Sequence, residues 1–155
     1  MKWKLPPKIK IHEALGAIAD GRIEMDGNTA KVYSSSRNKY YTVTFDPDTY
    51  SIMANDNGSY WQGYLGYPAI AYLMLVGKLP YTKEQAEAFS GIKWKDINTK
   101  FKNDFGKTLA YIQELQKKKG ITTEEVEAEI DKIYGDLKEK LPQMLGGKVT
   151  PPKEY

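Results

Sequence analysis

In SIMANDNGSYWQGYLGYPAIAYLML, residues 51–75, three kinds of local structure follow one another. A strand-like run at residues 50–54 breaks into a stretch rich in Asn, Gly and aromatic rings, which leads through Pro68 into an apolar helix. Proline suits the first turn of a helix, where its missing N–H has no partner to lose. The helix is expected to run to about Val76, with Gly77 as its stop. Sites are often built between a hairpin and a helix in this way, yet the residues that usually do chemistry are scarce. Cysteine is absent, and the single histidine, His12, lies far back in the chain.

Upstream, strand-like runs cover residues 22–25, 29–34, 39–45 and 50–54. They are separated by Asp26-Gly27-Asn28, Ser35-Ser36-Arg37-Asn38 and Asp46-Pro47-Asp48-Thr49. These residues supply positive φ, a fixed φ or a side chain that bonds the local backbone. Tyr41, Val43 and Phe45 alternate with Tyr40, Thr42 and Thr44, so one face of that strand is apolar and the other polar. Such short links predict an antiparallel meander, because a parallel crossover needs about a dozen residues or more. Residues 8–19 read as a helix with Ile11, Leu15 and Ile18 on one face, ended by Asp20-Gly21.

Downstream, Thr82-Lys83-Glu84-Gln85 is a capping box for a short helix that Gly91 closes. Trp94, Ile97, Phe101, Phe105, Leu109, Ile112 and Leu115 then recur at steps of three and four, the stripe of one long amphipathic helix. Gly106 within it costs about 1 kcal/mol relative to alanine and points to a closely packed neighbour. Thr122-Thr123-Glu124-Glu125 is a second capping box, opening a last helix with Val126, Ile130, Ile133, Leu137 and Leu141 on its apolar face. Lys119-Gly120-Ile121 is short enough to make these two helices an antiparallel hairpin. The expectation is an α+β fold. Residues 1–91 would hold the first helix, a small antiparallel sheet and the strand–loop–helix core. Residues 92–145 would form a helical hairpin packed on it or extending it, and residues 146–155 a loose polar tail.

Composition narrows the chemistry. No apolar run reaches the roughly 18 residues of a membrane span. The early lysines are not followed by the apolar stretch of a secretory signal, so a cytoplasmic protein is expected. Without cysteine there are no disulfides, thiolate zinc sites or cysteine nucleophiles. Many Lys, Glu and Tyr residues beside no Cys resemble a thermostable composition. The net charge of +3 is unevenly spread. Lys2, Lys4, Lys8 and Lys10 cluster at the start, while Glu124, Glu125, Glu127, Glu129 and Asp131 crowd the last helix.

Val32-Tyr33-Ser34-Ser35 followed by Tyr40-Tyr41-Thr42-Val43, with the Pro68 helix beyond, gives residues 31–76 an order of elements that resembles the SWIM domain, a ββα zinc module. That family's ligands come as Cys-x-Cys and then Cys-x-His at the helix start. In this frame the first pair falls at Ile52 and Ala54, the second at Ala69 and Ala71. All four are apolar, so the resemblance implies the ββα frame without the metal, and no cofactor is expected. A structural zinc contributes about 10–16 kcal/mol of folding free energy, whereas burying one Ile contributes about 1.5–3 kcal/mol. The C-terminal helices are therefore expected to cover the unit and complete its core. What the resemblance implies about function is binding to DNA or to proteins.

Each candidate site has a plain structural reading beside it. Asn55-Asp56-Asn57-Gly58-Ser59 is rich in oxygen ligands but lacks the spacing of an EF-hand loop, so a side chain-bonded turn is expected. Asp46 and Asp48 read as turn formers around Pro47, and with Asp56 would make only a weak metal site. Tyr60, Trp61, Tyr64, Tyr67 and Tyr72 form an aromatic patch beside Gly58, Gly63 and Gly66. Trp61 and Tyr72 are expected in the core. Tyr60, Tyr64 and Tyr67 are free to stack on bases at about 1–3 kcal/mol each, or to anchor a protein interface. The glycines lack a P-loop lysine. His12 and Glu13 point apart as helix neighbours, and His12 is expected at the surface or half-buried. Ser34-Ser35-Ser36 has no base to activate it. Lys117-Lys118-Lys119 suits a helix C-terminus.

The function expected from these residues is a non-enzymatic interaction module that binds nucleic acid. Lys2, Lys4, Arg37 and Lys39 would meet phosphates, and Tyr60, Tyr64 and Tyr67 would stack. The alternative is a protein–protein adaptor using the aromatic loop and the acidic last helix. Third comes a small metal-assisted hydrolase, which needs Asp46, Asp48, Asp56 or His12 to converge.

Overall fold

A computed structural model describes residues 1–153, so the end of the expected tail at residues 146–155 lies outside the described residues. The strands form where the alternation puts them: β1 (Ile23–Asp26), β2 (Thr29–Tyr33), β3 (Tyr40–Asp46) and β4 (Ser51–Ala54) make the antiparallel meander of an α+β fold. Gly27, at φ 60, makes the β1–β2 turn in a left-handed conformation that suits glycine. Val32 opposes Tyr41, Ala30 opposes Val43, Val43 opposes Ala54 and Phe45 opposes Ile52. Opposed residues share a face, so this register collects the buried side chains on one side of the sheet.

A fifth strand, β5 (Gln143–Met144), pairs in parallel with β4. Two residues carry no readable alternation, and the sequence assigns Leu141 to the last helix instead. The N-terminus fixes this edge: Trp3 N–H donates to Pro142 O, Met144 N–H to Met1 O, and the Trp3 indole to Ile52 O at 2.8 Å.

The helix α2 (Tyr67–Leu75) covers the apolar face of the sheet, and α1 (Ile9–Ala19) packs on α2. α2 starts with Pro68 in its first turn, and Gly77 follows its end at φ 78. Ile52, Ala54, Ala69 and Ala71, the positions aligned with zinc ligands, are all buried in one apolar cluster. The cover over α2 differs from expectation. It comes chiefly from α1 rather than from the C-terminal helices. The physical reason is that α1 is buried on nearly every side, with small residues at Ala14, Gly16 and Ala17 that let neighbours approach.

Around α1 lie α3 (Lys83–Glu87), α4 (Trp94–Lys100), α5 (Phe105–Lys118) and α6 (Thr123–Glu139). The Thr82 capping box is formed, with Gln85 N–H donating to Thr82 Oγ1 and Thr82 N–H to the Gln85 side chain. The Thr122 box is not, since Thr122 accepts no capping bond. The stripe from Trp94 to Leu115 belongs to two helices, not one. Lys102 and Asn103, at φ 52 and 61, break the chain between them, and Asp104 caps α5 by accepting from Lys107 N–H at 3.2 Å. Gly106 has no close neighbour either: a Cβ there would meet only Asp104 Oδ1, at an ordinary 3.5 Å. Ile112, Ile130, Ile133 and Leu137 enter the same cluster as the sheet residues, so α5 and α6 complete the core. Among the described residues no helix is long and apolar enough to cross a membrane.

Candidate anion-binding cavity

Where α1, the open end of β2–β3, the start of α2 and α4 meet, they enclose a cavity of about 760 Å³. α1 contributes Lys10 and Glu13, the turn before β1 Arg22, the residue before β3 Lys39, and β3 Tyr41. The far wall holds Asp56, Trp61, Tyr64 and Tyr67, and α4 closes the site with Trp94, Lys95 and Asn98. Lys95 N–H donates to Ser35 Oγ at 2.8 Å, which docks the start of α4 on the β2–β3 loop. Residues 58–62, read as loop, form one turn of π-helix (Gly58–Gln62).

Arg22 is the least compensated charge in these walls. It is 2% exposed. Its Nη1 donates to Tyr33 O at 2.8 Å, but Nε and Nη2 are buried with no acceptor. The Asp20 carboxylate stands 4.0 Å from Nε, beyond hydrogen-bond length, and is held by Gly91 N–H at 2.8 Å. A buried donor left unpaired costs about 1–3 kcal/mol, more when charged. Trp94 Nε1 also lacks an acceptor. It lies only 2.7 Å from where a Cβ on Gly16 would sit, so tight packing on α1 accounts for it.

The other buried ions are matched. Glu13 accepts from Lys10 Nζ at 3.2 Å and from Asn98 Nδ2 at 3.0 Å. Burial disfavours the Lys10 ammonium, but Glu13, Tyr64 and Asp56 outweigh it and raise its pKa. Asp56 accepts from Ser59 Oγ at 2.5 Å and Ser59 N–H at 3.2 Å. Burial nevertheless pushes its pKa up. Burial also raises Tyr67, with Tyr41 adding to it, and raises Tyr41, with Asp56 adding to it. Both phenols therefore stay neutral and able to donate; their rings meet edge to face at 6.1 Å. Lys39 is lowered by burial and then by repulsion from Lys95. Lys10, Arg22, Lys39 and Lys95 line the cavity together with the carboxyls of Glu13 and Asp56.

Of the residues expected to bind nucleic acid, Lys39, Tyr64 and Tyr67 come together in this cavity. Lys4 is joined through its backbone to Gly63 and Leu65, whereas Lys2 bridges to Gln143 at β5. Arg37 is exposed and donates to Asp20 O at 2.9 Å. Tyr60 packs edge to face on Trp61 at 4.7 Å.

Two expectations are corrected. Trp61 is 69% exposed instead of buried, because the π-helical turn presents it outward at the cavity mouth. His12 is fully buried instead of superficial, because α6 packs over α1: its Nε2 is 2.8 Å from Glu127 and its Nδ1 3.0 Å from Lys8 O. Tyr72 is core, as expected.

The hydrolase constellation does not assemble. Asp46 accepts from Asp48 N–H in its turn, and of the four candidates only Asp56 lines the cavity. No group of three or more His, Cys, Asp or Glu residues among the described residues is placed to hold a metal. The acidic face of α6 is partly engaged internally, Glu127 with His12 and Asp131 with Lys8 at 2.6 Å.

The sequence reading does not single out Arg22 or Asn98, and it names Lys10 only within the lysine cluster and Glu13 only beside His12. Their only local signals are single polar residues in amphipathic segments, which ordinarily read as solvated. Asp56 lies in the expected side chain-bonded turn, where it accepts from Ser59 N–H.

Fold and walls together describe an α+β protein with a cationic, phenol-lined cavity. A family model described as "Uncharacterised conserved protein UCP014422" matches residues 3–142, and the chain belongs to that family. No curated protein and no solved structure matches it.

Proposed function

We propose that the protein binds a small anionic ligand in this cavity. The observation that carries the reading is the buried Arg22 edge, Nε and Nη2, with no acceptor. That edge is a planar fork that matches the two oxygens of a carboxylate or phosphate. Lys39, half-buried in the same walls, favours the same sign of ligand. The nucleic-acid expectation enters this reading through Lys39, Tyr64 and Tyr67, which line the same walls.

The test is thermal unfolding with increasing inorganic phosphate and simple carboxylates at constant ionic strength. A ligand at about 100 times its Kd adds about 2.7 kcal/mol of stability. Wild type is expected to shift upward. Arg22→Gln should shift little, and Arg22→Lys, which keeps the charge and loses the fork, should fall between them. Equal shifts in all three proteins refute the role given to Arg22.

A further inference from the structure

We infer that the ligand is an aromatic carboxylic acid, its carboxylate paired with the Arg22 edge and its ring against Trp61 at the cavity mouth. This rests on the anion-binding reading above and adds the class of ligand. Arg22 Nε and Nη2 are buried without an acceptor, and a carboxylate presents two oxygens that match such an edge. The Asp20 carboxylate, 4.0 Å from Nε, already offsets part of the Arg22 charge. One negative charge therefore suits this edge, whereas a dianion would be set against Asp20 at short range where water screens poorly.

Beside the guanidinium the walls are rings. The Arg22 guanidinium carbon lies 6.0 Å from the centre of the Tyr67 ring, which meets Tyr41 edge to face at 6.1 Å. Tyr64 and Phe105 line the same space. Its volume, about 760 Å³, exceeds what a carboxylate group fills and lies in the usual range for small-molecule sites. A flat body meets such rings offset or edge to face, with a gain beyond the area covered.

Trp61 supplies the second, independent observation. At 69% exposure it is the one tryptophan outside the core, since Trp3 and Trp94 are 2% and 4% exposed. It is borne on a π-helical turn, a form concentrated at functional sites, and Tyr60 braces it edge to face. The rest of the ring is left in water at the mouth, where a ligand ring can cover it.

An aromatic acid can arrive free or as the C-terminal residue of a peptide. The test is calorimetric titration of the full chain with 3-phenylpropionate, its methyl ester, 3-cyclohexylpropionate, phenyl phosphate and a short peptide ending in phenylalanine. 3-Phenylpropionate is expected to bind more tightly than its saturated counterpart by about 2- to 12-fold, the factor that one aromatic pair supplies. Trp61→Ala should erase that difference, and Arg22→Lys should weaken both acids. The ester keeps the ring and loses the charge, so it should bind far more weakly than the acid. A peptide that outbinds 3-phenylpropionate identifies a chain end as the source, and one that binds more weakly identifies the free acid. Tighter binding of phenyl phosphate, no gain of the aromatic over the saturated acid, or no effect of Trp61→Ala overturns the aromatic-acid inference and leaves the anion site standing. An ester that binds as tightly as the acid, or failure of both acids and phenyl phosphate to bind, overturns the anion reading, and this inference with it.

Discussion

Gly66→Ala tests how the cavity wall around Asp56 is held. Gly66 has extended backbone, φ −83 and ψ 169, so alanine brings no backbone strain. Its Cβ would nevertheless overlap the Asp56 carboxyl, standing 2.6 Å from Oδ1 and closer still to Oδ2. Asp56 is buried, and its oxygens accept from Ser59 Oγ and Ser59 N–H, so moving aside breaks those bonds. Two such hydrogen bonds contribute about 1–3 kcal/mol together. Overpacking costs a similar ~1–3 kcal/mol, but it describes the same displacement and is not added in full. Replacing glycine at a compatible φ returns about 0.4–1 kcal/mol through the unfolded chain. The net expectation is a loss of about 1.5–3 kcal/mol, a substantial part of the ~5–15 kcal/mol that holds a domain together.

Urea unfolding followed by circular dichroism measures this, with equal m-values required for the comparison. The decisive form is a double-mutant cycle. Asp56→Ala alone leaves the Ser59 donors unpaired and costs about 1–3 kcal/mol. In that background the Gly66 methyl enters vacated space, so its cost should fall to zero or reverse. The coupling is then about 2 kcal/mol, well above the ~0.3–0.5 kcal/mol scatter of independent sites. Strict additivity refutes the claim that Gly66 is glycine in order to admit Asp56.

Two further expectations concern buried ionisable groups. Burial raises the Asp56 pKa against the opposing bonds from Ser59. The folded state therefore holds that proton more tightly than the unfolded chain. The resulting stability is complete below the unfolded value of about 3.9 and is lost as pH rises through the folded value. Relative to Asp56→Asn, wild type should weaken from about pH 4 upward, read from unfolding free energies at a series of pH values. A difference that moves the other way refutes it. At His12 both ring nitrogens face acceptors, Lys8 O and the Glu127 carboxylate. Glu127→Gln gives Nε2 a donor instead and should cost less than about 1 kcal/mol, whereas His12→Ala empties a buried site and should cost about 2–4 kcal/mol. Thermal melts check the order, and the reverse order refutes it.

The meander was legible because alternation needs only one buried face to show itself. Tyr41, Val43 and Phe45 carry it in three steps, and Asp-Gly and Asp-Pro turns mark its ends. The break between α4 and α5 was not, because Phe101 and Phe105 keep helical spacing across it and both pack against the core. A hydrophobic period reports which side chains are buried, not whether the chain between them stays helical. The local clue was Asn103-Asp104, where Asn tolerates positive φ and Asp caps the next helix. The cavity divides in the same way. Tyr64 and Tyr67 were visible through aromatic clustering. Arg22 and Glu13 were not, because their burial depends on α4 packing across α1 at Gly16 and Trp94, residues far apart in sequence.

Stability alone does not account for these charges. Replacing a buried ion pair with apolar residues of like volume is often neutral or stabilising, so each buried ion here needs a reason beyond cohesion. Lys10 and Glu13 have one in each other and in Asn98. Asp56 has one in the Ser59 hydroxyl and N–H. Arg22 has only the Tyr33 carbonyl for one of its three nitrogens, although a carboxylate lies 4.0 Å away, turned toward Gly91. Lys39 borders the same space and is repelled by Lys95. An anion at the Arg22 edge, as proposed above, would pair two nitrogens that no described residue of the protein accepts from.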